Sequence, residues 1–201
     1  MNRFLPFVVF IVTISVGLGM TYTVYSFVQT AESARFEIVA DDVVDRIQER
    51  VSQHVALLVA TRSLFVASDG IVSREAFSNF VAGLDLDGKF EGLQGIGFAR
   101  FIPSGGKSAI ETAISADYGT DVVVWPETTE AYRAPIVLLE PFDDRNRQAI
   151  GFDMYSDDIR RTAMDLAAVT GFPQASGPVE LVQEVTSQKQ VGFLVYLSLP
   201  L

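Results

Sequence analysis

The run FLPFVVFIVTISVGLGMTYTVYSFV, residues 4–28, is apolar apart from scattered Thr, Ser, Gly and Tyr, and no charged side chain occurs from Phe4 to Ala31. A helix crosses the hydrocarbon core of a bilayer with about 20 such residues, so this run predicts a single transmembrane helix over 4–28. Tyr22 and Tyr25 fall near its far end, at the depth where amphipathic rings settle among headgroups. Arg3 and the terminal amine supply the positive flank, whereas Glu32, Glu37, Asp41 and Asp42 follow on the other side. Positive flanks stay in the cytoplasm. Residues 1–3 are therefore expected inside and everything after Val28 outside, in the periplasmic or extracellular space beyond the inner (plasma) membrane. A cleaved signal peptide would carry an apolar region of only about 7–15 residues.

Working outward, no proline or glycine interrupts the chain from Met20 until Gly70. Val44, Ile47, Val51, His54, Leu58, Thr61 and Phe65 recur in steps of three and four, which makes a stripe on one face of a helix. The spacing predicts a stalk helix over 29–69 that continues the membrane helix. Such a stripe packs either on a second copy, as a homodimer, or on the helix's own domain; His54 and Thr61 weaken a dimer seam, because seams prefer apolar residues.

Beyond Gly70 the pattern is mixed. Ser73 is an expected N-cap for a short helix carrying Ala76 and Phe77. Lys107 to Tyr118 and Asp158 to Val169 read as helices, the second stopped by Gly171 with Pro173 beyond. Strands are expected at Leu93 to Phe101, Val122 to Trp125, Ala134 to Leu139, Leu181 to Glu184 and Val191 to Leu199, with turns at Ser104-Gly105-Gly106 and Ser187-Gln188-Lys189. The expected fold class is α+β, a domain over 70–201 with a central antiparallel sheet.

Composition removes several functions. A net charge of -10 repels nucleic acid and anionic lipid surfaces, and also suits an ordinary soluble surface. With no cysteine there is no thiolate metal site, Cys nucleophile or disulfide, and the single histidine, His54, excludes a multi-histidine metal site. No cofactor or metal is expected. Asp143 with Asp144, Asp157 with Asp158, and Glu140 could in principle serve glycoside hydrolysis, but acids of this kind more commonly cap helices and turns. Gly95-Ile96-Gly97 lacks the third glycine of a dinucleotide fingerprint, and Gly106-Lys107-Ser108 lacks the earlier glycine of a phosphate loop.

Gly151-Phe152-Asp153-Met154-Tyr155-Ser156 places one acid after the apolar approach Ala149-Ile150 and beside Phe152, Met154 and Tyr155. An acid among such walls can accept a hydrogen bond from an amine or ring N–H while the walls stack on the ligand. A capping aspartate in a turn is the simpler reading of the same residues.

From about Gly92 to Leu199 the chain resembles the CHASE family, the extracytoplasmic sensory domain of receptor histidine kinases and nucleotide cyclases. The resemblance is carried by Gly95-Ile96-Gly97-Phe98-Ala99, Tyr132 with Pro135-Ile136, Leu139-Glu140-Pro141, Gly151-Phe152-Asp153-Met154, Arg160-Arg161 with Ala163-Met164, Thr170-Gly171, and Gly192-Phe193-Leu194-Val195-Tyr196. It implies a stalk helix followed by PAS-like subdomains, with ligand bound in the membrane-distal one. In plant members the ligand is a cytokinin, an adenine derivative. Asp153 matches the aspartate that bonds the adenine ring, a main-chain group near Ala175 adds a bond, and a polar residue near Glu184 assists, where the family has a hydroxyl. The resemblance also implies a membrane-proximal subdomain and a second membrane helix after Tyr196, so the chain reads as a fragment without kinase or cyclase motifs.

The expectation is therefore a small-molecule sensor domain of a histidine kinase or diguanylate/adenylate cyclase receptor, itself not an enzyme. Its expected ligand site is Asp153, Ala175, Glu184, Phe152 and Tyr155, its expected ligand class includes a cytokinin-like adenine derivative, and a homodimer forms through the stalk. The alternative is an anchored protein-interaction or dimerisation module with no small-molecule ligand. An anchored hydrolase stands third.

Overall fold

The computed structural model describes residues 4–90, 92–182 and 191–199. The chain divides into two compact units, Met1–Ser52 and Gln53–Leu201. One helix, α1 (Leu5–Ala67), contains every described residue of the first unit except Phe4 and continues past Ser52. Within it Pro6–Phe27 has a mean hydropathy of 2.0 and no buried residue, so it is long and apolar enough to cross a membrane. Val44, Ile47 and Val51 are exposed. The C-terminal part of the same stripe behaves differently: Leu58 is half-buried, Thr61 and Phe65 are buried, and Leu57, next to the stripe, is buried as well. Thr61 resolves its polar atom locally by donating its hydroxyl to the Leu57 carbonyl at 2.8 Å. His54 is half-buried with its ring 6.1 Å from Phe90. The helix stops where Gly70 takes φ 77° and donates its N–H to the Phe65 carbonyl.

The second unit continues with α2 (Arg74–Leu84), α3 (Leu86–Lys89), β1 (Ile96–Ala99), β2 (Ile102–Pro103), α4 (Lys107–Tyr118), β3 (Tyr132–Arg133), β4 (Ile136–Glu140) and α5 (Asp144–Arg147). It closes with α6 (Asp158–Thr170), β5 (Gln174–Ala175), β6 (Val179–Glu180), β7 (Val191–Gly192) and β8 (Val195–Tyr196). Helix ends follow the expected chemistry. The Ser73 hydroxyl caps α2 by accepting the Ala76 N–H, and Gly119 and Gly171 close α4 and α6 in the left-handed region.

The described strands form four two-stranded antiparallel ladders, β1–β4, β2–β3, β5–β8 and β6–β7, in place of one continuous central sheet. The strand expected over Leu93 to Phe101 is shortened to β1, and β2 begins only beyond it, at Ile102. The one over Val122 to Trp125 is reduced to a single bridge, Trp125 with Phe152. Leu181 and Val182 lie beyond β6 and outside any strand, while residues 183 and 184 and the expected turn at Ser187-Gln188-Lys189 lie outside the described residues. The physical reason is length: ladders of two residues carry too few apolar positions to show the alternation by which strands are recognised. In β1–β4, Ile96 faces Glu140 and Gly97 faces Leu139. A Cβ on Gly97 would stand 2.9 Å from the Leu138 carbonyl oxygen, so this glycine serves close strand approach.

The core gathers on β4, all five of whose residues are buried, with Phe77 and Val81 of α2, Ile110 and Ile114 of α4, and Phe65 of α1. The Phe65 ring lies 4.4 Å from Phe98 and 6.1 Å from Phe77. Removing a buried aromatic costs about 3–5 kcal/mol, so Phe65→Ala should strongly lower the denaturation midpoint of the full chain in detergent micelles. Val66→Ala, at an exposed neighbour, should change stability by no more than about 0.5 kcal/mol.

Candidate functional site around Asp153

The segment Gly151 to Met154 is hydrogen-bonded on both sides. The Gly151 carbonyl accepts the Trp125 N–H at 3.1 Å and the Trp125 carbonyl accepts the Asp153 N–H at 2.6 Å, on one flank. On the other, the Gly151 N–H donates to Ile136 O, the Ile136 N–H to Phe152 O, and the Met154 N–H to Ala134 O, each at 3.0 Å. Gly151 is required here twice over. Its φ is 81°, and a Cβ would lie 2.6 Å from the Val123 carbonyl oxygen.

This threading carries Asp153 into the interior, where none of its surface is exposed. Oδ1 accepts the Ala134 N–H at 2.7 Å and the Tyr155 N–H at 3.1 Å, and so caps the short 3-10 turn Met154–Ser156. The capping reading of Asp153 is thus realised by one oxygen. The other oxygen, Oδ2, is buried and has no hydrogen-bond partner among the described residues. It lies 3.5 Å from Nη1 of Arg133, itself only 4% exposed.

Arg133 gives its remaining hydrogen bonds to the preceding loop. Nη1 donates to the Pro126 carbonyl at 3.2 Å, and Nη2 donates to Glu127 Oε2 and to the Thr128 carbonyl, each at 3.1 Å. Its Nε is buried without an acceptor among the described residues. Glu127 is exposed, and its carboxyl is held below the usual range, first by the hydrogen bond and charge of Lys107 and then by Arg133. The site thus joins a loop, β3 and the Asp153 segment through one buried guanidinium.

The other expected ligand residues are placed as follows. Phe152 is buried, with its ring 4.9 Å from Trp125 in an edge-on contact and the Arg160 guanidinium 5.0 Å over it. Tyr155 is half-buried and turns its hydroxyl to Asp165 Oδ1 at 2.7 Å. That bond, with some burial, pushes its phenol up to about 12. Ala175 is exposed on β5 opposite Val195, and lines an open groove of about 380 Å³ with Ser176, Pro178, Val191, Gly192 and Phe193. Asp153 is not among the walls of that groove. Glu184 lies outside the described residues.

The acids considered for hydrolysis have structural partners. Asp143 accepts the Asn146 N–H as the cap of α5, Asp157 accepts the Arg160 N–H as the cap of α6, and Glu140 accepts the Phe142 N–H. No cluster of three or more metal-ligating His, Cys, Asp or Glu side chains occurs among the described residues. Arg133, the closest charged partner of Asp153, escaped the sequence reading. It is the second residue of the two-residue strand β3, where no periodicity marks a side chain as inward.

The chain thus combines one helix of membrane-spanning length with a mixed helix-and-strand domain that holds a buried charged pair and uses several of its acids as caps. The sequence model of the CHASE domain matches residues 70–200, well over half of the chain, and the chain belongs to the CHASE domain family. This is an extracytoplasmic sensory domain of signalling receptors, and it is not catalytic. No curated protein matches the chain.

Because Gly151 positions Asp153, Gly151→Ala should cost about 2 kcal/mol or more through strain and the clash with Val123. Equilibrium denaturation of the full chain measures this. A loss below about 0.5 kcal/mol would show that the 151–154 segment can move aside without consequence.

Proposed function

We propose that this chain is the extracytoplasmic small-molecule sensor of a membrane-bound signalling receptor of the histidine kinase or nucleotide cyclase type. One observation carries the reading. Among the described residues Asp153 Oδ2 is a fully buried carboxylate oxygen without a hydrogen bond, and Nε of its ion-pair partner Arg133 is a buried donor in the same condition. Buried polar atoms are nearly always paired, and leaving a buried charged group short of a partner costs at least about 1–3 kcal/mol. A ligand N–H directed at Oδ2, with an acceptor directed at Nε, satisfies both.

The imidazole-side edge of an adenine derivative offers such a donor and acceptor together, so a cytokinin-like molecule is one member of the ligand class. In this proposal Tyr155 and Phe152 border the ligand, and Ala175 and Glu184 contribute a main-chain and a side-chain contact in a PAS-like domain. The positive flank at Arg3 supports a cytoplasmic N-terminus, with the sensory domain outside the inner (plasma) membrane. Val44, Ile47 and Val51 are exposed at seam spacing on α1, which supports pairing with a second copy. Ligand then acts by binding one arrangement of the pair more tightly than the other.

The second reading, an anchored interaction module without a ligand, is favoured by the inward packing of Phe152 against Trp125 and by the loop that Arg133 holds beside Asp153. A thermal-shift panel of adenine derivatives and amino compounds on the full chain in nanodiscs separates the two. For any compound that binds, Asp153→Asn keeps the Oδ1 acceptor but replaces Oδ2 by a donor. Affinity should fall by roughly 10-fold or more, the equivalent of about 1.4 kcal/mol. Unchanged affinity would remove Asp153 from the site, and a panel with no binder would favour the interaction module.

Pairing through α1 has its own test, simplified by the lack of native cysteine. Ile47→Cys should form a disulfide-linked dimer on mild oxidation in membranes, and Glu49→Cys, turned about 200° around the helix, should not. Equal cross-linking at both positions would exclude a specific seam.

A further inference from the structure

Arg133 stands between two sets of acceptors, and only one set receives its hydrogen bonds. On the loop side, Nη1 donates to the Pro126 carbonyl at 3.2 Å, and Nη2 donates to Glu127 Oε2 and the Thr128 carbonyl, each at 3.1 Å. On the interior side, Asp153 Oδ2 lies 3.5 Å from Nη1 and takes no hydrogen bond among the described residues. A charge-assisted N–H···O bond is ordinarily about 2.7–2.9 Å long, so a shift of well under 1 Å would close the contact. A buried cation beside a buried carboxylate is drawn in that direction. The acceptors on the loop oppose the movement.

Two of those acceptors are main-chain carbonyls, and the third is the Glu127 carboxylate, which adds a Coulomb attraction that a carbonyl lacks. Glu127 is exposed, yet it is anchored, because its second oxygen accepts from Lys107 Nζ in the first turn of α4. Lys107 also stands 3.7 Å from Glu111 Oε1, which accepts the Val124 N–H at 2.8 Å. Further along the loop, the Ser104 N–H donates to the Ala131 carbonyl at 2.9 Å and the Ser104 hydroxyl donates to the Glu130 carbonyl. The loop is therefore fastened to the front of α4 near both of its ends. Through Glu127 that fastening extends to the buried guanidinium.

We propose that Glu127 is a positioning residue of the Asp153 site: anchored on Lys107, it holds the Arg133 guanidinium to the loop and off Asp153, so that Oδ2 stays an open acceptor. The use of that open oxygen rests on the sensor reading above, whereas the restraint is a property of the ligand-free protein. Without the Glu127 carboxylate, Arg133 closes on Oδ2 and the acceptor is satisfied internally.

Glu130, on the same loop, supplies the charge-matched control, since its carboxylate pairs with Arg161 at 3.0 Å. The full chain in detergent micelles, labelled with carboxyl-13C aspartate, reports on Oδ2 through the Asp153 resonance, assigned by its loss in Asp153→Asn. Glu127→Ala should move that resonance, and Glu130→Ala should leave it in place. Glu127→Ala alone should keep Tm within about 2 °C of the wild type, because Oδ2 replaces the lost acceptor. In an Asp153→Asn background that replacement is gone. There Glu127→Ala should lower the folding constant roughly 10-fold more than it does in the wild type, as for one hydrogen bond to a charged group. Glu130→Ala should cost the same in both backgrounds. An unmoved Asp153 resonance in Glu127→Ala would overturn the proposal, and so would an equal movement in Glu130→Ala, which is the field of a lost charge alone. Additivity between positions 127 and 153 equally overturns it. So does a Glu127→Ala chain that melts more than about 5 °C lower, because Arg133 has then found no replacement. Every readout comes from the free protein. A compound panel without a binder therefore removes the sensor reading and leaves this restraint standing, and the overturning results here remove the restraint and leave the sensor reading.

Discussion

The main chain from Gly151 to Met154 is held between two neighbours by five hydrogen bonds, and the placement of the charged interior depends on that double bonding. A segment paired on one side only could turn Asp153 toward water, where a carboxylate is best solvated. Bonded to residues 125 and 134–136 together, it has no such freedom, and Gly151 is the residue whose missing Cβ lets the Val123 carbonyl approach to 2.6 Å of where that Cβ would lie. The acid is therefore buried by the backbone, and the surroundings must then accommodate it.

They do so unevenly. At 3.5 Å the attraction between Asp153 and Arg133 is about 5 kcal/mol with an effective dielectric constant of 20. Desolvation of two buried ions costs several kcal/mol each, so attraction alone leaves the pair close to neutral at best. The hydrogen bonds decide the outcome. Bonds to charged groups contribute about 1.5–3 kcal/mol apiece, and they come from Ala134 and Tyr155 on one partner and from Pro126, Glu127 and Thr128 on the other. Among the described residues all of the acid's bonds fall on Oδ1, and the Nε–H of the arginine donates none. The pair is thus anchored in place and still incomplete as a donor–acceptor set.

The helices were legible because their signals are local. Ser73, Gly119 and Gly171 mark helix ends by their own side-chain or backbone chemistry, and Ile110 with Ile114 or Ala163 with Ala167 repeat at helical spacing. The long α1 was readable for the same reason, although its single stripe concealed two environments, exposed at Val44 to Val51 and half-buried or buried from His54 to Phe65. Strands were less so. β3 and β5 to β8 hold two residues each, and β1 is bulged after Phe98. The 151–154 segment has no alternation because both of its edges are bonded and its neighbours are distant in sequence. Asp153 could be singled out by its apolar company and by resemblance. Arg133 could not, because its inward direction is set by pairing with β2, which no local pattern records.

Arg133 and Arg160 share an arrangement that bears on why they are retained. Each is almost fully buried, each spends terminal nitrogens on main-chain carbonyls, and each keeps Nε without an acceptor among the described residues. If these positions served packing alone, apolar side chains of similar volume would do as well or better, since replacing buried ions by hydrophobic residues is often neutral or stabilising. Rules of local consistency are broken in proteins chiefly at functional sites. Two such breaks occur among the described residues of one small domain, and the one at Arg133 lies beside the Asp153 carboxylate.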